Sequence, residues 1–406
     1  MSTGLEKCRI QQLPLEKSKG HDAIFNSSYL EDIPAELASW KANRIVLAFS
    51  KSLDAQTDVI KNLEARLGDI IVAKKSGVGS HSPYADVIDI ANLLHTNQAD
   101  CLISIGSSSY SDACKIATLM HATLPPGFTE ADMEALVDQE TGITWNVKPP
   151  TVKLIVVPTS LSASEWNAVS SATNSERKKQ HFGTPEASPD LILLDPEVAS
   201  TSPKMLWLSS GVRAVDHCVE TMCNKLSHEE ANQHMETGLR SLIKGLKEYE
   251  EGRDAMNRKE LLHGISECQV GSREAMMGFL IWRIPLGPSH AIGHQIGSVA
   301  DVMHGVTSCI MLAPVLRYTK SQNAEAQARV AKIFNETLGW EEKEAADAVS
   351  RFVKLLGLPT TLSEVGVTEE SQIEKIAEKT LTDAWGGAKR QLETKEEVME
   401  ILNAAR

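Results

Sequence analysis

The chain has 406 residues, 42% of them apolar and 23% charged, with no low-complexity tract. That composition excludes a disordered or fibrous protein and places the chain among soluble globular ones. Its 41 basic and 54 acidic side chains leave a formal charge of −13, which argues against general affinity for nucleic acid or an anionic membrane.

A chain of this length exceeds what one hydrophobic core usually organises, so two domains of about 200 residues are expected. The N-terminal stretch MSTGLEKCRIQQLPLEKSKG is polar and charged. No later run reaches the roughly 18 apolar residues a membrane helix needs, so nothing here is read as a membrane or targeting segment. The cysteines, Cys8, Cys101, Cys114, Cys218, Cys223, Cys268 and Cys309, are scattered with no CxxC pair. They read as reduced thiols of a cytoplasmic protein.

Short β-branched runs recur through the first half: RIVLAF (44–49), DIIVA (69–73), DCLISIG (100–106), KLIVVP (153–158) and DLILLDP (190–196). Apolar residues on both faces place such strands in a buried parallel sheet. Between them lie helical patterns such as YADVIDIANLLHTN, with Val87, Ile90, Ala91 and Leu94 at i, i+3, i+4 and i+7. The alternation predicts βαβ units in an open, doubly wound sheet. The polar stretch 121–150 reads as a surface insertion with one short helix.

After residue 196 the strand signal ends and long helical patterns follow, including 229–249, 323–338 and 341–356. The predicted organisation is therefore an α/β domain over 1–196 and an α-helical domain over 197–406, with the proline-containing DPEVASTSPKM (195–205) as linker.

Two turns at the carboxyl ends of predicted strands are rich in small and hydroxyl residues. The first, Gly106, Ser107, Ser108 and Ser109, opens a helix whose first turn carries Asp112. Such a turn lets backbone N–H groups and the helix dipole meet a phosphate, while the plainer reading is that its serines cap the helix. The second, VPTSLSASEWNAVSSATN (157–174), carries Thr159, Ser160, Ser162 and Ser164. Ligands of open α/β sheets bind at such strand ends, although two ordinary turns stabilised by Ser and Thr hydroxyls would look the same.

In the helical half, SSGVRAVDHCVETMC (209–223) puts Arg213 and His217 at i and i+4 among Val212, Val215 and Val219. They share one face of an otherwise apolar helix. GPSHAIGHQIGSVADVMHG (287–305) repeats that spacing with His290 and His294 and adds His304. One histidine in such a setting reads as a hydrogen-bonded structural residue. Four in two short segments read as a functional cluster.

In order along the chain, GSSSYSDACK, VPTSLSASE, GVRAVDHCVE and SHAIGHQIGSVADVMHG resemble the motifs of the iron-containing (group III) alcohol dehydrogenases and their relatives, the maleylacetate reductases. The resemblance implies an N-terminal dinucleotide-binding domain, a C-terminal helical domain, a site in the cleft between them and a homodimer. It assigns Gly106 to Ser109 to the cofactor pyrophosphate, Thr159 and Ser160 to the nicotinamide side, and Lys179 to a cofactor contact. It matches His217, His290 and His304 to the histidine ligands of metal-dependent members, and His294 to a proton-relaying histidine near the nicotinamide.

The chain departs from that pattern in three places. Arg213 stands where the metal-dependent members carry a ligating aspartate. Exchanging −1 for +1 beside a metal changes the interaction by roughly 8 kcal/mol per unit of metal charge at about 4 Å and an effective dielectric of about 20. That approaches a whole metal-binding free energy of about 10–16 kcal/mol and argues against bound iron or zinc. Asp216 lies about 100° round the helix from His217 and is expected to pair with Arg213 or face solvent. Ser107 and Ser108 replace two family glycines and are expected to resist positive φ. Ser50 stands near the usual acidic ribose-binding residue, so NADPH is expected to serve as well as NADH.

The leading expectation is a metal-independent, NAD(P)H-dependent reductase of the maleylacetate reductase type. It would act on a carbonyl or activated C=C of a small acidic or enone substrate. The alternatives are an iron- or zinc-dependent alcohol dehydrogenase, and a non-redox isomerase, dehydratase or cyclase using the same cleft.

Overall fold

The β-branched runs of the first half pair side by side because each needs cover on both faces, and only helices above and below a parallel sheet supply it. The computed structural model describes residues 6–11, 20, 22–138, 143–383 and 392–406. The chain forms two compact units, Met1–Ser202 and Pro203–Arg406.

The strands of the first unit are β1 (Cys8–Gln11), β2 (Asp22–Phe25), β3 (Ile45–Phe49), β4 (Ile71–Ser76), β5 (Cys101–Gly106), β6 (Ile143–Thr144), β7 (Lys153–Pro158), β8 (Val169–Thr173), β9 (Lys179–Gly183) and β10 (Leu191–Leu194). Its helices are α1 (Tyr29–Trp40), α2 (Lys51–Gln56), α3 (Val59–Leu67), α4 (Tyr84–Thr96), α5 (Ser108–Thr123), α6 (Glu130–Glu134) and α7 (Pro196–Ala199). A 7-stranded sheet runs β1-β2-β10-β7-β5-β3-β4. Its neighbours are parallel except β1 with β2. Alternate residues feed two cores. Val46, Ala48, Leu102 and Val156 pack with the apolar stripes of α4 and α5, and Ile45, Leu47, Ile103 and Val157 pack with those of α1 and α3. Val87, Ile90, Ala91 and Leu94 are fully buried, as their spacing predicts.

Several elements differ from the sequence expectation. β4 starts two residues late and continues through Lys74 and Lys75, which pair with Glu64, Asp86 and Asp89. An edge strand tolerates such charges. A second sheet, β6-β9-β8, was hidden because VSSAT and KQHFG alternate small polar residues with Ala172 and Phe182 instead of showing an apolar run. The polar stretch 121–150 is more than a surface insertion: Phe128, Met133 and Val137 anchor it in the core that packs on α4.

The second unit is helical, with no strand among the described residues. It comprises α8 (Lys204–Cys223), α9 (Glu229–Asp254), α10 (Arg258–Trp282), α11 (Pro288–Ala300), α12 (His304–Leu338), α13 (Ala345–Leu355), α14 (Glu370–Thr380) and α15 (Lys395–Ala404). α8 is buried on every side from Trp207 to Cys223, which follows from small and apolar residues all round it. α11 begins with Pro288 in its first turn, where a missing N–H costs nothing. α12 is broken by Asn323, with φ −145° and ψ 37°, at the start of the 323–338 pattern. No helix among the described residues is long and apolar enough to cross a membrane.

Candidate functional site

In the first unit the two hydroxyl-rich turns are bonded to each other. The Ser108 N–H donates to Ser160 Oγ at 3.2 Å, and Ser164 Oγ donates to the Ser108 carbonyl at 3.3 Å. Asp112, in the first turns of α5, accepts from Ser171 N–H and Oγ, both at 3.3 Å. The fully buried Lys115 ties the same helix to the second turn through the carbonyls of Ser164 and Asn167, at 2.6 and 2.8 Å. Ser107, Ser108 and Ser109 remain partly exposed at the head of α5, whereas Thr159 and Ser160 are buried. Ser50 caps α2 at the end of β3, next to β5: its N–H donates to the Ile105 carbonyl at 3.0 Å. Lys179 sits at the exposed start of β9, opposite Thr173.

The first turn asks no positive φ of its serines. Ser107 has φ −73°, and Ser107 and Ser108 are not among the positive-φ residues. The left-handed conformation falls instead on Ala163, with φ 67° in the second turn, a position costly for any residue with a Cβ. The glycine the first turn requires is Gly106, where an added Cβ would lie 2.5 Å from the Tyr110 ring.

In the second unit one stripe of α8 carries Arg213, Asp216, His217 and Glu220, all buried. Buried charges persist only when paired or hydrogen-bonded, and the start of α11 supplies the partners. Glu220 Oε2 accepts from the Gly287 N–H at 2.8 Å and meets His290 Nδ1 at 2.6 Å. Its Oε1 accepts from the Ser289 N–H at 2.6 Å. The carboxylate of one helix thus caps the orphan donors of another. A Cβ on Gly287 would come within 2.8 Å of that carboxylate, so the cap needs glycine there.

Asp216 corrects the sequence expectation: it neither faces solvent nor forms an ion pair with Arg213. It is fully buried, accepts from Ser289 Oγ at 2.8 Å and lies 3.4 Å from His290 Nδ1. Ser289, the residue before His290, draws it toward α11.

The predicted residues Arg213, His217, His290, His294 and His304 come together around this network. The rings of His217 and His290 stack at 4.8 Å, and those of His294 and His304 at 5.0 Å. Arg213 Nη1 donates to Ser308 Oγ at 3.3 Å, and its Nη2 lies 3.5 Å from His294 Nε2. The other ring nitrogen of His294 faces Asp383.

Burial lowers the Arg213 pKa to about 10 against the pull of Asp216, Glu220 and Asp383, so the group stays a cation at neutral pH. Burial, Arg213 and His294 hold His217 down to about 3. Burial, Arg213, His217 and His294 push His290 well below the usual imidazole value, so both rings are neutral. Burial raises Asp216 to about 6, with Ser308, Arg213 and Ser289 pulling the other way. Burial and the neighbouring Asp216 push Glu220 up, opposed by the backbone N–H groups of Gly287, Ser289 and His290.

Sequence reasoning missed Glu220, Ser289, Ser308 and Asp383. Glu220 had a signal, since it closes the segment GVRAVDHCVE and completes the i, i+3, i+4, i+7 stripe with Arg213, Asp216 and His217. Asp383 had none, lying 89 positions from the histidine it meets.

Residues 21–196 match the model for iron-containing alcohol dehydrogenase, and residues 207–406 match the C-terminal model of the Fe-containing alcohol dehydrogenase family. Dehydrogenase ALT3 of Alternaria alternata is 31% identical over 398 residues, 89% of this chain and 99% of that protein. The chain belongs to the iron-containing alcohol dehydrogenase family. It is an oxidoreductase by that membership. The NAD-dependent methanol dehydrogenase of Bacillus methanolicus is 24% identical over 383 residues, 91% of this chain and 93% of that protein. Among solved structures, maleylacetate reductase from Agrobacterium tumefaciens matches with a TM-score of 0.74 at 18% identity over 97% of each chain, a likeness of fold.

Proposed function

We propose that this family member is a metal-independent, NAD(P)H-dependent reductase acting on a carbonyl or activated C=C of a small acidic or enone substrate. The observation that carries the reading is the buried guanidinium of Arg213, 3.5 Å from His294 and adding its charge to the burial that keeps His217 and His290 neutral. A divalent ion among these imidazoles would face a fixed positive charge, at a cost of roughly 8 kcal/mol at about 4 Å and an effective dielectric of about 20. Asp216, Glu220 and His290 do offer donor atoms within 4.8 Å of one another. Glu220 is already bonded to His290 Nδ1 and to the N–H groups that open α11, and a metal taking those atoms would have to strip a helix of its cap.

Toward a substrate, Arg213 offers what a metal would: a fixed positive charge that binds a carboxylate or polarises an oxygen. His294 holds or moves the proton. The Gly106–Ser109 turn at the head of the 16-residue helix α5 suits a cofactor pyrophosphate, and Ser50 in place of an acid leaves room for a ribose phosphate. A bound nicotinamide supplies the hydride. The methanol dehydrogenase relative, NAD-dependent by name, supports that cofactor class.

The test is metal analysis of purified protein together with NADPH and NADH oxidation in the presence of maleylacetate, before and after chelation. Turnover unaffected by chelator, with far less than one equivalent of metal, is expected. About one equivalent of iron or zinc, lost together with activity, would sink the reading in favour of a metal-dependent alcohol dehydrogenase.

A further inference from the structure

His294 is gripped from both sides. Its Nδ1 faces the Asp383 carboxylate, 3.2 Å from Oδ2 and 3.3 Å from Oδ1. Its Nε2 lies 3.5 Å from Arg213 Nη2. A guanidinium nitrogen has only protons to offer and a carboxylate has only lone pairs. In a neutral imidazole between them, the single proton therefore sits on Nδ1 and the lone pair of Nε2 faces the guanidinium.

Asp383 is itself held. Gln295, the residue after His294, donates from Nε2 to Asp383 Oδ2 at 2.7 Å, and the Asp383 side chain is only 9% exposed. The His304 ring lies almost parallel to that of His294, at 13°. Tilt, tautomer and position of His294 are each fixed by a separate neighbour.

We infer that Asp383 is a positioning residue: its carboxylate fixes the Nδ1–H form of His294 and keeps Nε2 on the Arg213 side, where the substrate oxygen is held. What His294 then does rests on the proposed reductase reading. The grip of Asp383 on it stands on geometry. An acid oriented against the far nitrogen of a working histidine is a recurrent catalytic arrangement. Here it arrives from the chain segment just after α14, far in sequence from α11.

A role confined to fastening that segment onto α11 makes a different prediction from a role in orienting His294, and two measurements separate them. The first is two-bond ¹H–¹⁵N correlation on ¹⁵N-histidine-labelled full-length protein, with the His294 signals assigned by their loss in His294→Gln. The Nδ1–H form is expected at His294 in the wild type, and that preference is expected to be lost in Asp383→Asn. The second is steady-state kinetics with NADPH and maleylacetate. Asp383→Asn is expected to lower kcat by roughly ten-fold or more, with KM changed by less than about three-fold, and Asp383→Glu to recover part of the loss.

A wild-type His294 protonated at Nε2 overturns the assignment, as does an Asp383→Asn enzyme with full kcat. A wild type that folds but does not reduce the probe removes the reductase reading instead. The nuclear magnetic resonance measurement then still decides what Asp383 does.

Discussion

The ring of His290 lies on that of His217, with centroids 4.8 Å apart and planes at 22°. Each ring carries a buried nitrogen with no hydrogen-bond partner among the described residues, Nδ1 of His217 and Nε2 of His290. Unpaired buried nitrogens cost free energy, and on the proposed reading these two face a reacting group beside the buried cation.

On that reading Arg213 decides what the group is. Arg213→Ala is expected to lower kcat/KM for a carboxylate substrate by about a hundred-fold, the size of a lost charge-assisted contact to a developing oxyanion. Arg213→Lys is expected to recover only part of it, since an ammonium lacks the bidentate fork. Arg213→Asp should exchange the cation for a ligand and raise the zinc content of the purified protein toward one equivalent. Kinetics and elemental analysis on the same preparations check all three, and an Ala variant of full activity removes Arg213 from the mechanism.

Glu220 binds α8 to α11 through Gly287, Ser289 and His290. Glu220→Ala leaves three buried donors unmatched and should cost about 3–5 kcal/mol of stability, the range for breaking a buried charged network. Glu220→Gln retains a carbonyl acceptor and should cost less. Urea unfolding followed by circular dichroism measures both, and equal costs for the two variants would contradict a capping role.

Much of this was legible beforehand because the relevant signals are local. The strands β3, β5, β7 and β10 announce themselves as apolar runs, and the pairs Arg213/His217 and His290/His294 announce themselves by helical spacing. Asp216 was misjudged because position on a helix was read without its partner. A carboxylate 100° from His217 on the helical wheel points at Ser289, and nothing near Asp216 in sequence indicates where α11 will lie. Asp383 was invisible for the same reason, its partner being 89 positions away. The weight placed on Ser107 and Ser108 as lost glycines came from reading a glycine motif letter by letter. The glycine whose absence of a Cβ matters is Gly106, set by the ring of Tyr110.

Gly106→Ala supplies the corresponding test in the first unit. Its Cβ would sit 2.5 Å from Tyr110 Cδ2 and 2.6 Å from Tyr110 Cγ, so the tyrosine ring must move. Moving Tyr110 also breaks the bond that the Val78 N–H donates to its hydroxyl at 3.0 Å. The expected cost is about 1–3 kcal/mol, as for overpacking elsewhere, with a weaker NADPH affinity by calorimetry. A variant with unchanged stability and unchanged affinity would show that the turn moves freely.

The histidine stack also sets a pH dependence whose sign can be worked out. His217 falls from the ordinary value of 6.5 to about 3 on folding, so below pH 6.5 the unfolded chain takes up a proton that the folded chain refuses. Stability from this residue is complete above pH 6.5 and is lost progressively as pH falls toward 3. Burial shifts Asp216 upward, from 3.8 to about 6. The folded state then holds the extra proton, so acid favours folding and partly masks the histidine effect in the wild type. The clean measurement is a difference. Between pH 7.5 and pH 5, the wild type should lose about 2 kcal/mol more stability than His217→Gln, the linkage value for a group with those two pKa values. Chemical denaturation of both proteins at the two pH values gives that number directly. A difference near zero would mean that His217 is already charged in the folded protein, and with it the neutral stack beside Arg213 would be lost.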